Sequence, residues 1–266
     1  MSTLSAYVEG VGLLGPGLKD WPAGCAILTG AAPYESRPTV LPVPESLPPA
    51  ERRRTGPIVK VALAVGLEAT GRAAVHPSHL PTVFTSSGGD GQNCHEICQT
   101  LASADRQLSP TRFHNSVHNV AAGYWGIANG ARAPSNSLCA HDASFAAGLL
   151  ESLAQVAVDR TSNLLIAYDS QYPEPLASKR PIQDAFGVAL LLSPQRRSTS
   201  LARLTVDLTD STPDRMQNPP LEALRMSIPA ARVLPLLACL AIGAQRRVVI
   251  EYLTSVSVAV HVTPCA

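Results

Sequence analysis

Apolar residues along the chain fall into alternating strand-like and helix-like stretches. Short β-branched or aliphatic runs predict buried strands, and apolar positions three or four residues apart predict amphipathic helices. In the segment 58–73, apolar residues at 58, 59, 61, 62, 65 and 69 share one helical face. The pattern predicts strands over 6–14, 82–85, 163–168, 186–192 and 201–208, and helices over 58–73, 116–129 and 145–158. This mixture predicts an α/β fold with several central strands.

The last quarter of the chain also combines helix-like and strand-like stretches. After Pro219 a helical stretch precedes two strand-like runs, 248–253 and 256–262, which only Thr254 and Ser255 separate. So short a connection predicts a β-hairpin. We expect a terminal hairpin packed by a helix.

Proline interrupts the regular pattern near the start. Seven prolines lie between residues 31 and 57, and such a density is compatible with neither a helix nor a central strand. We expect an extended excursion over the surface. Its run Glu51–Arg54 is interpreted as a solvated charged turn, with anion binding as the alternative.

Composition excludes several classes of function. Lys and Arg total 21 against 20 Asp and Glu, so no basic face for nucleic acid is expected. The start lacks the pattern of a signal peptide, and the longest apolar run, 233–244, is interrupted by Pro235 and is too short to span a bilayer. We expect a cytoplasmic protein without a membrane span.

Cysteine and histidine spacing does not predict a metal site or a bound cofactor. A helix would place Cys94 and Cys98 on one face and His95 elsewhere, and no second cluster completes a tetrahedral set. His114 and His118 are four residues apart, but they lack the glutamate of a zinc-binding HExxH motif. Their polar neighbours favour a structural or interface role. The six cysteines are interpreted as reduced thiols.

The segment GARAPSNSLCAHDASFAAGLLE, residues 130–151, carries the strongest functional signal. A loop and a short strand lead abruptly into an Ala- and Gly-rich helix. Such a turn exposes a nucleophile at a helix N-terminus, where the helix dipole lowers the pKa of a thiol. The residue at the turn therefore decides whether the chain is an enzyme.

Several segments together resemble the N-terminal half of β-ketoacyl synthases, which have a thiolase-like fold. The likeness covers roughly residues 5–210 and rests on AYVEGVGLLGPG, PAERRRTGPIVKVALAVGLEA, TVFTSSGGDGQNCHEICQTLA, SPTRFHNSVHNVAAGYWGIANGARAPS, NLLIAYDS and FGVALLLSP. HNSVHNVAAGYW is similar to the chain length factors of aryl polyene type II polyketide systems. The resemblance implies a ketosynthase N-terminal-like domain over 1–210, followed over 211–266 by an abbreviated C-terminal helix and strand pair on the same core.

The chain departs from this family at its reactive residues. Ketosynthases carry their cysteine in a stretch such as TACSSS, eight residues after the proline of a GPS-like turn, and the same count from Pro134 reaches Asp142. A carboxylate there cannot form the acyl thioester of a thiolate. Cys139 lies three residues too early, and His261 matches neither activating histidine of the family. For Asp142 a helix cap is favoured over a salt bridge or a mimic of an acyl carboxylate.

The resemblance therefore implies a noncatalytic chain length factor that pairs with a full-length ketosynthase and meets acyl carrier protein through that complex. The alternatives are a shortened thiolase-fold acyltransferase that uses Cys139, and a stand-alone module that binds acyl groups or carrier protein. The candidate interface and tunnel residues are His114, Asn115, His118, Asn119, Tyr124, Trp125 and Phe145.

Overall fold

The structure is a computed structural model that describes residues 4–265, and these form a mixed α/β fold around one sheet. Within that range the sheet has eight strands in the order β3-β2-β4-β5-β1-β6-β8-β7. β2 runs parallel to β3 and β4, and the other neighbours are antiparallel. The strands are β1 Leu4–Leu14, β2 Thr82–Thr85, β3 Ser135–Leu138, β4 Asn163–Asp169, β5 Phe186–Ser193, β6 Ala202–Thr209, β7 Arg246–Leu253 and β8 Val256–Pro264.

Helices cover both faces of the sheet. They are α1 Trp21–Leu28, α2 Pro49–Arg52, α3 Pro57–Arg72, α4 Gly91–Ala102, α5 Pro110–His114, α6 Val120–Asn129, α7 Ser144–Asp159, α8 Pro219–Ser227 and α9 Leu234–Ile242. One hydrophobic core lies between the sheet and α7, α8 and α9, and a second joins α3 and α6 to the opposite face. Both faces are covered, so the central strands β4 and β5 are buried throughout and mainly apolar.

Glycine allows α3 to approach its neighbours closely. A Cβ on Gly66 would lie 2.5 Å from the Trp125 ring and 2.8 Å from Ile166 Cδ1. The indole of Trp125 fills the space that a side chain at position 66 would occupy, so α6 packs closely against α3.

The predicted elements are largely confirmed, with three differences. The helix expected over 116–129 begins only at Val120, and α5 is a separate helix, so His114 and His118 do not share one helix. The helical stretch after Pro219 is divided into α8, a 3-10 segment at Pro229–Val233, and α9. A short helix, α2, interrupts the proline-rich excursion.

The terminal hairpin is confirmed. β7 and β8 pair antiparallel across Thr254 and Ser255, and α9 packs on them. β8 joins the hairpin to the rest of the sheet through β6.

The two edge strands of the sheet differ in how far other residues hydrogen-bond to their outer backbone groups. Along β7, the N–H of Asp214 donates to the Val249 carbonyl at 2.9 Å, and the Asp214 carboxylate accepts from the Val249 N–H at 2.9 Å. β3 at the other edge pairs with β2 alone among the described strands. Unpaired backbone groups on an edge favour pairing with another chain.

Candidate functional site

The predicted turn exists where β3 leads into α7. After Leu138 the chain passes through Cys139 and Ala140 into a single 3-10 turn, His141–Ala143, and α7 begins at Ser144. His141 has a φ of 50°, a left-handed conformation that is uncommon outside glycine. The Ser144 hydroxyl accepts from the Ala140 N–H and donates to the His141 carbonyl. The side chain of Ser144 thus stabilises this sharp turn.

Asp142 is held by arginines at this turn. Arg180 Nη2 donates to Asp142 Oδ1 at 2.7 Å, and Arg232 Nη2 lies 3.5 Å from Asp142 Oδ2. α7 has no side-chain cap at its N-terminus. The helix cap expected for Asp142 is therefore wrong, and the carboxylate forms salt bridges instead.

A cavity of about 350 Å³ opens beside Asp142. Its polar lining includes Arg180, Lys179 and Gln183. Arg180 Nη1 also contacts His141 Nε2 at 2.5 Å, so the guanidinium bridges both turn residues. The cavity is lined by one carboxylate and two cations, and among the described residues no thiol lines it.

The ion pairs continue from Asp142 into the C-terminal part of the chain. Arg232 also pairs with Glu251 on β7, and Arg225 on α8 pairs with both Glu251 and Glu222. Burial lowers the pKa of Arg232, while the Asp142 carboxylate opposes that shift. Hydrogen bonds from Arg225 hold the pKa of Glu222 at about 2. This network of ion pairs joins the β3–α7 turn to the C-terminal part of the chain, residues 211–266.

Cys139 lies at the turn but away from the Asp142 cavity. Its Sγ donates to the Ser87 carbonyl at 3.0 Å, and the side chain is exposed. It lines an apolar groove of about 610 Å³ beside α7, together with Leu138, Ala147 and Leu150. Among the described residues, no histidine forms a hydrogen bond with Cys139. The Cys139 thiol thus has a backbone carbonyl as its partner, whereas an activated thiol needs an adjacent general base.

His261 lies on the outer part of the sheet. Its Nε2 is 2.7 Å from Asp207 Oδ1 on β6, and both side chains are about half exposed. This pair is remote from β3 in the strand order, but Asp207 also lines the groove that contains Cys139.

The predicted interface residues divide into surface and core positions. His114 and Asn119 are exposed, and His118 is half-buried with a buried Nε2 that has no partner among the described residues. Asn115 is buried, where its Nδ2 donates to the Arg54 carbonyl and its Oδ1 accepts from the Tyr124 hydroxyl. Tyr124, Trp125 and Phe145 are at most 2% exposed and belong to the cores. Tyr124 and Trp125 lie in the core beneath α6, whereas Phe145 lies in the core on the opposite face of the sheet.

Sequence reasoning missed the apolar side chains that form the surface of this region. Phe113, Val117 and Ile127 are 66%, 50% and 48% exposed, and they line a groove of about 500 Å³ together with His114 and Asn119. We call this the α5–α6 groove. In the sequence, Phe113 and Val117 stand within the otherwise polar stretch PTRFHNSVHN, and this pattern indicates an exposed apolar surface.

A second feature missed from the sequence is the buried carboxylate of Asp169 at the end of β4. It accepts hydrogen bonds from the N–H and hydroxyl of Ser87 at 2.8 and 2.7 Å, and from the Ala230 N–H at 2.8 Å. Burial raises the pKa of Asp169, and these hydrogen bonds oppose the shift. The carboxylate joins the Gly-rich loop after β2 to the segment before α9, so its role is structural.

The described residues contain no group of three or more His, Cys, Asp or Glu that could hold a metal ion. Across residues 4–265, no helix is both long and apolar enough to cross a bilayer.

Three solved structures share this fold over almost their whole length. A chain of a ketosynthase (ApeO) in complex with its chain length factor (ApeC) from Xenorhabdus doucetiae matches at a TM-score of 0.73 and 24% identity, covering 97% of this chain and 99% of that one. The ishigamide ketosynthase/chain length factor matches at 0.74 and 14%, covering 98% and 100%. A chain of AntDE:AntF, a type II PKS acyl-carrier protein in complex with its ketosynthase bound to the hexaketide, matches at 0.77 and 11%, covering 99% and 100%.

A fourth structure is longer. A β-ketoacyl synthase from Burkholderia phymatum matches at a TM-score of 0.59 and 12% identity, covering 92% of this chain and 71% of that chain. A search of curated proteins found no match.

The sequence comparison agrees with the fold. The family model described as "Beta-ketoacyl synthase, N-terminal domain" matches residues 29–234, well over half of the chain. The matched range includes the β3–α7 turn and both arginines that hold Asp142. The chain therefore belongs to the β-ketoacyl synthase N-terminal domain family.

Proposed function

We propose that this chain is a noncatalytic chain length factor that pairs with a full-length ketosynthase in aryl polyene biosynthesis. The observation that carries the proposal is the salt-bridged carboxylate of Asp142 at the β3–α7 turn. A carboxylate that two guanidinium groups hold is a poor nucleophile, and it cannot form a thioester. The partner would supply the thiolate and the imidazoles.

The unprotected edge of the sheet supports pairing with another chain. Asp214 covers part of the edge at β7, while β3 pairs with β2 alone among the described strands. Because strand addition satisfies unpaired N–H and C=O groups, an open edge next to apolar surface is a suitable interface. The groove beside α7 starts at Leu138 and Cys139, which directly continue β3.

The α5–α6 groove supports the same proposal. Its exposed Phe113, Val117 and Ile127 would be buried by a partner, and exposed apolar patches often mark interaction sites. His114, His118 and Asn119 would contact the partner, while Asn115, Tyr124 and Trp125 would hold this wall in shape. Phe145, in the core on the opposite face of the sheet, would support the α7 side of the interface. In the complex, we expect the wall to limit the acyl tunnel and hence the polyene length.

The structural relatives support this assignment through their own assemblies. Two are described as containing a ketosynthase and a chain length factor, and a third contains an acyl-carrier protein. Each is covered over at least 99% of its length, so this chain has the size of a subunit in those complexes. We infer that acyl carrier protein reaches this chain through the ketosynthase. Cytoplasmic location and the lack of nucleic-acid binding stay predictions.

The alternative of an acyltransferase that uses Cys139 has weaker support. The thiol donates to a backbone carbonyl and has no histidine partner among the described residues. Alkylation by iodoacetamide at neutral pH tests it, since an activated thiol reacts fast and an ordinary one slowly.

Co-expression tests the proposed pairing. The tagged chain and a full-length ketosynthase from the same organism should elute together from size-exclusion chromatography in a 1:1 ratio. Val117→Asp places a charge in the α5–α6 groove and should greatly reduce the co-eluting fraction. Val40→Asp is the matched control, because Val40 is 82% exposed on the proline-rich excursion.

Two results would contradict the proposal. The first is a wild-type chain that elutes alone in the presence of the ketosynthase, which would favour a stand-alone binding module. The second is an equal loss of pairing in both variants. Melting temperatures of the isolated variants show whether either substitution disturbs the fold.

A further inference from the structure

Helix α4 carries two cysteines one turn apart, Cys94 and Cys98, and both are exposed. Residues four apart on a helix lie on the same face, with Cβ atoms about 6 Å apart. Burial is the largest cause that raises the pKa of Cys94, and the Cys98 thiol adds to it by its charge and a hydrogen bond. The two sulfur atoms are therefore close neighbours.

The two thiols line a pocket of about 650 Å³ between α4 and residues 172–179. The wall opposite the thiols is mainly apolar, with Tyr172, Pro173, Pro175 and Leu176, and it ends at the polar side chains of Ser178 and Lys179. His95 also borders this pocket, but it does not join the two cysteines in a group of three potential metal ligands. A helix turns by about 100° per residue, and neighbouring positions can border one broad pocket.

The arrangement limits which ligands the sulfurs can hold. A zinc ion needs four ligands, and the described residues offer no group of three or more suitable side chains here or elsewhere. Thiolates prefer soft centres. A soft electrophilic atom that binds only two sulfur atoms and carries one apolar substituent fits both the thiol pair and the apolar wall.

We propose that Cys94 and Cys98 form a dithiol site for a thiophilic compound with one apolar group, of which a monosubstituted arsenic(III) compound is the defining example. In the reaction R–As=O with two thiols, two S–H bonds break and two As–S bonds form. The arsenic oxygen leaves as water with both protons. Arsenic stays in the +3 state, so no oxidant or reductant is needed. The product is uncharged, which suits an apolar pocket.

Phenylarsine oxide is the probe that tests this site on the full chain. Mass spectrometry should show one phenylarsenic group per chain, retained in an excess of glutathione because release requires both sulfurs to dissociate. Cys94→Ser or Cys98→Ser should each reduce this retention by roughly tenfold or more, since a single sulfur gives no chelate advantage. Cys139→Ser is the matched control, because Cys139 is also exposed and should have no effect. Leu176→Asn should weaken retention by removing apolar surface from the wall.

The proposal is overturned if no adduct survives glutathione, or if retention persists in the Cys94→Ser/Cys98→Ser double variant. Equal retention in Leu176→Asn would overturn the assignment of the apolar wall. None of these outcomes depends on pairing with a ketosynthase, so this site and the proposed function can fail separately.

Discussion

The guanidinium of Arg180 lies 2.7 Å from the carboxylate of Asp142, at the turn where the family resemblance predicts a nucleophile. The side chain of Arg180 is 20% exposed, and that of Arg232 on the other carboxylate oxygen is 10% exposed. The charge of Asp142 therefore stabilises two desolvated arginines. This relationship gives the acidic residue a structural role.

Asp142→Asn should destabilise the chain by about 1 kcal/mol, between the small value of an exposed ion pair and the large value of a buried one. The amide keeps a hydrogen-bond acceptor, but it leaves Arg180 without a carboxylate partner among the described residues and Arg232 with Glu251 alone. Chemical denaturation measures the change. Asp210→Asn is the control, because the side chain of Asp210 is exposed just after the end of β6. An equal, small effect of both substitutions would contradict a structural role for Asp142.

Glu222 should make stability depend on pH in the acid range. Its pKa is about 2 in the folded protein against an ordinary value of 4.5, chiefly because Arg225 donates hydrogen bonds to it. A depressed folded-state pKa stabilises the fold above the unfolded pKa, and the contribution disappears as the pH falls through the folded pKa. The stability difference between wild type and Glu222→Gln should therefore be constant above about pH 5 and shrink between pH 4.5 and 2.

Denaturation of both proteins across this range provides the measurement. Subtracting the free energy of unfolding of Glu222→Gln from that of the wild type cancels the contribution of the other carboxylates. A difference that stays the same down to pH 2 would mean that the Arg225 pair does not depress the pKa of Glu222.

Replacing two glycines of α3 by alanine should change the stability of the fold in opposite directions. Gly66→Ala places a methyl group 2.5 Å from Trp125, and the overpacking should cost about 1–3 kcal/mol. Gly71→Ala meets no atom within 4 Å and should gain up to about 1 kcal/mol from helix propensity. Thermal unfolding distinguishes the two. A stabilising Gly66→Ala would show that α6 packs less tightly on α3.

The sequence predicted most of the fold because its strands and helices have clear apolar periods. Strands such as β4 and β5 contain continuous apolar runs, and the terminal hairpin has a two-residue connection. The start of α6 was misplaced by four residues, since the polar stretch 115–119 has no proline or glycine to mark a break. Side-chain hydrogen bonds, such as that of Asn115 with the Arg54 carbonyl, stabilise this connection instead.

The candidate site was less accessible from the sequence. The position of Asp142 could be counted from Pro134, but its partners Arg180 and Arg232 lie 38 and 90 residues further along the chain. Contacts over such separations depend on the tertiary fold and leave no local pattern. The same reason explains why the hydrogen bonds of Asp169 with Ser87 and Ala230 were missed.

The most direct test of a noncatalytic role is condensation activity in a complex reconstituted with the ketosynthase. Product formation should continue, within a few-fold of wild type, when this chain carries Cys139→Ala, and it should stop when the nucleophilic cysteine of the ketosynthase is replaced by alanine. Loss of product in the Cys139→Ala complex, at unchanged assembly, would contradict the account and make this chain an enzyme.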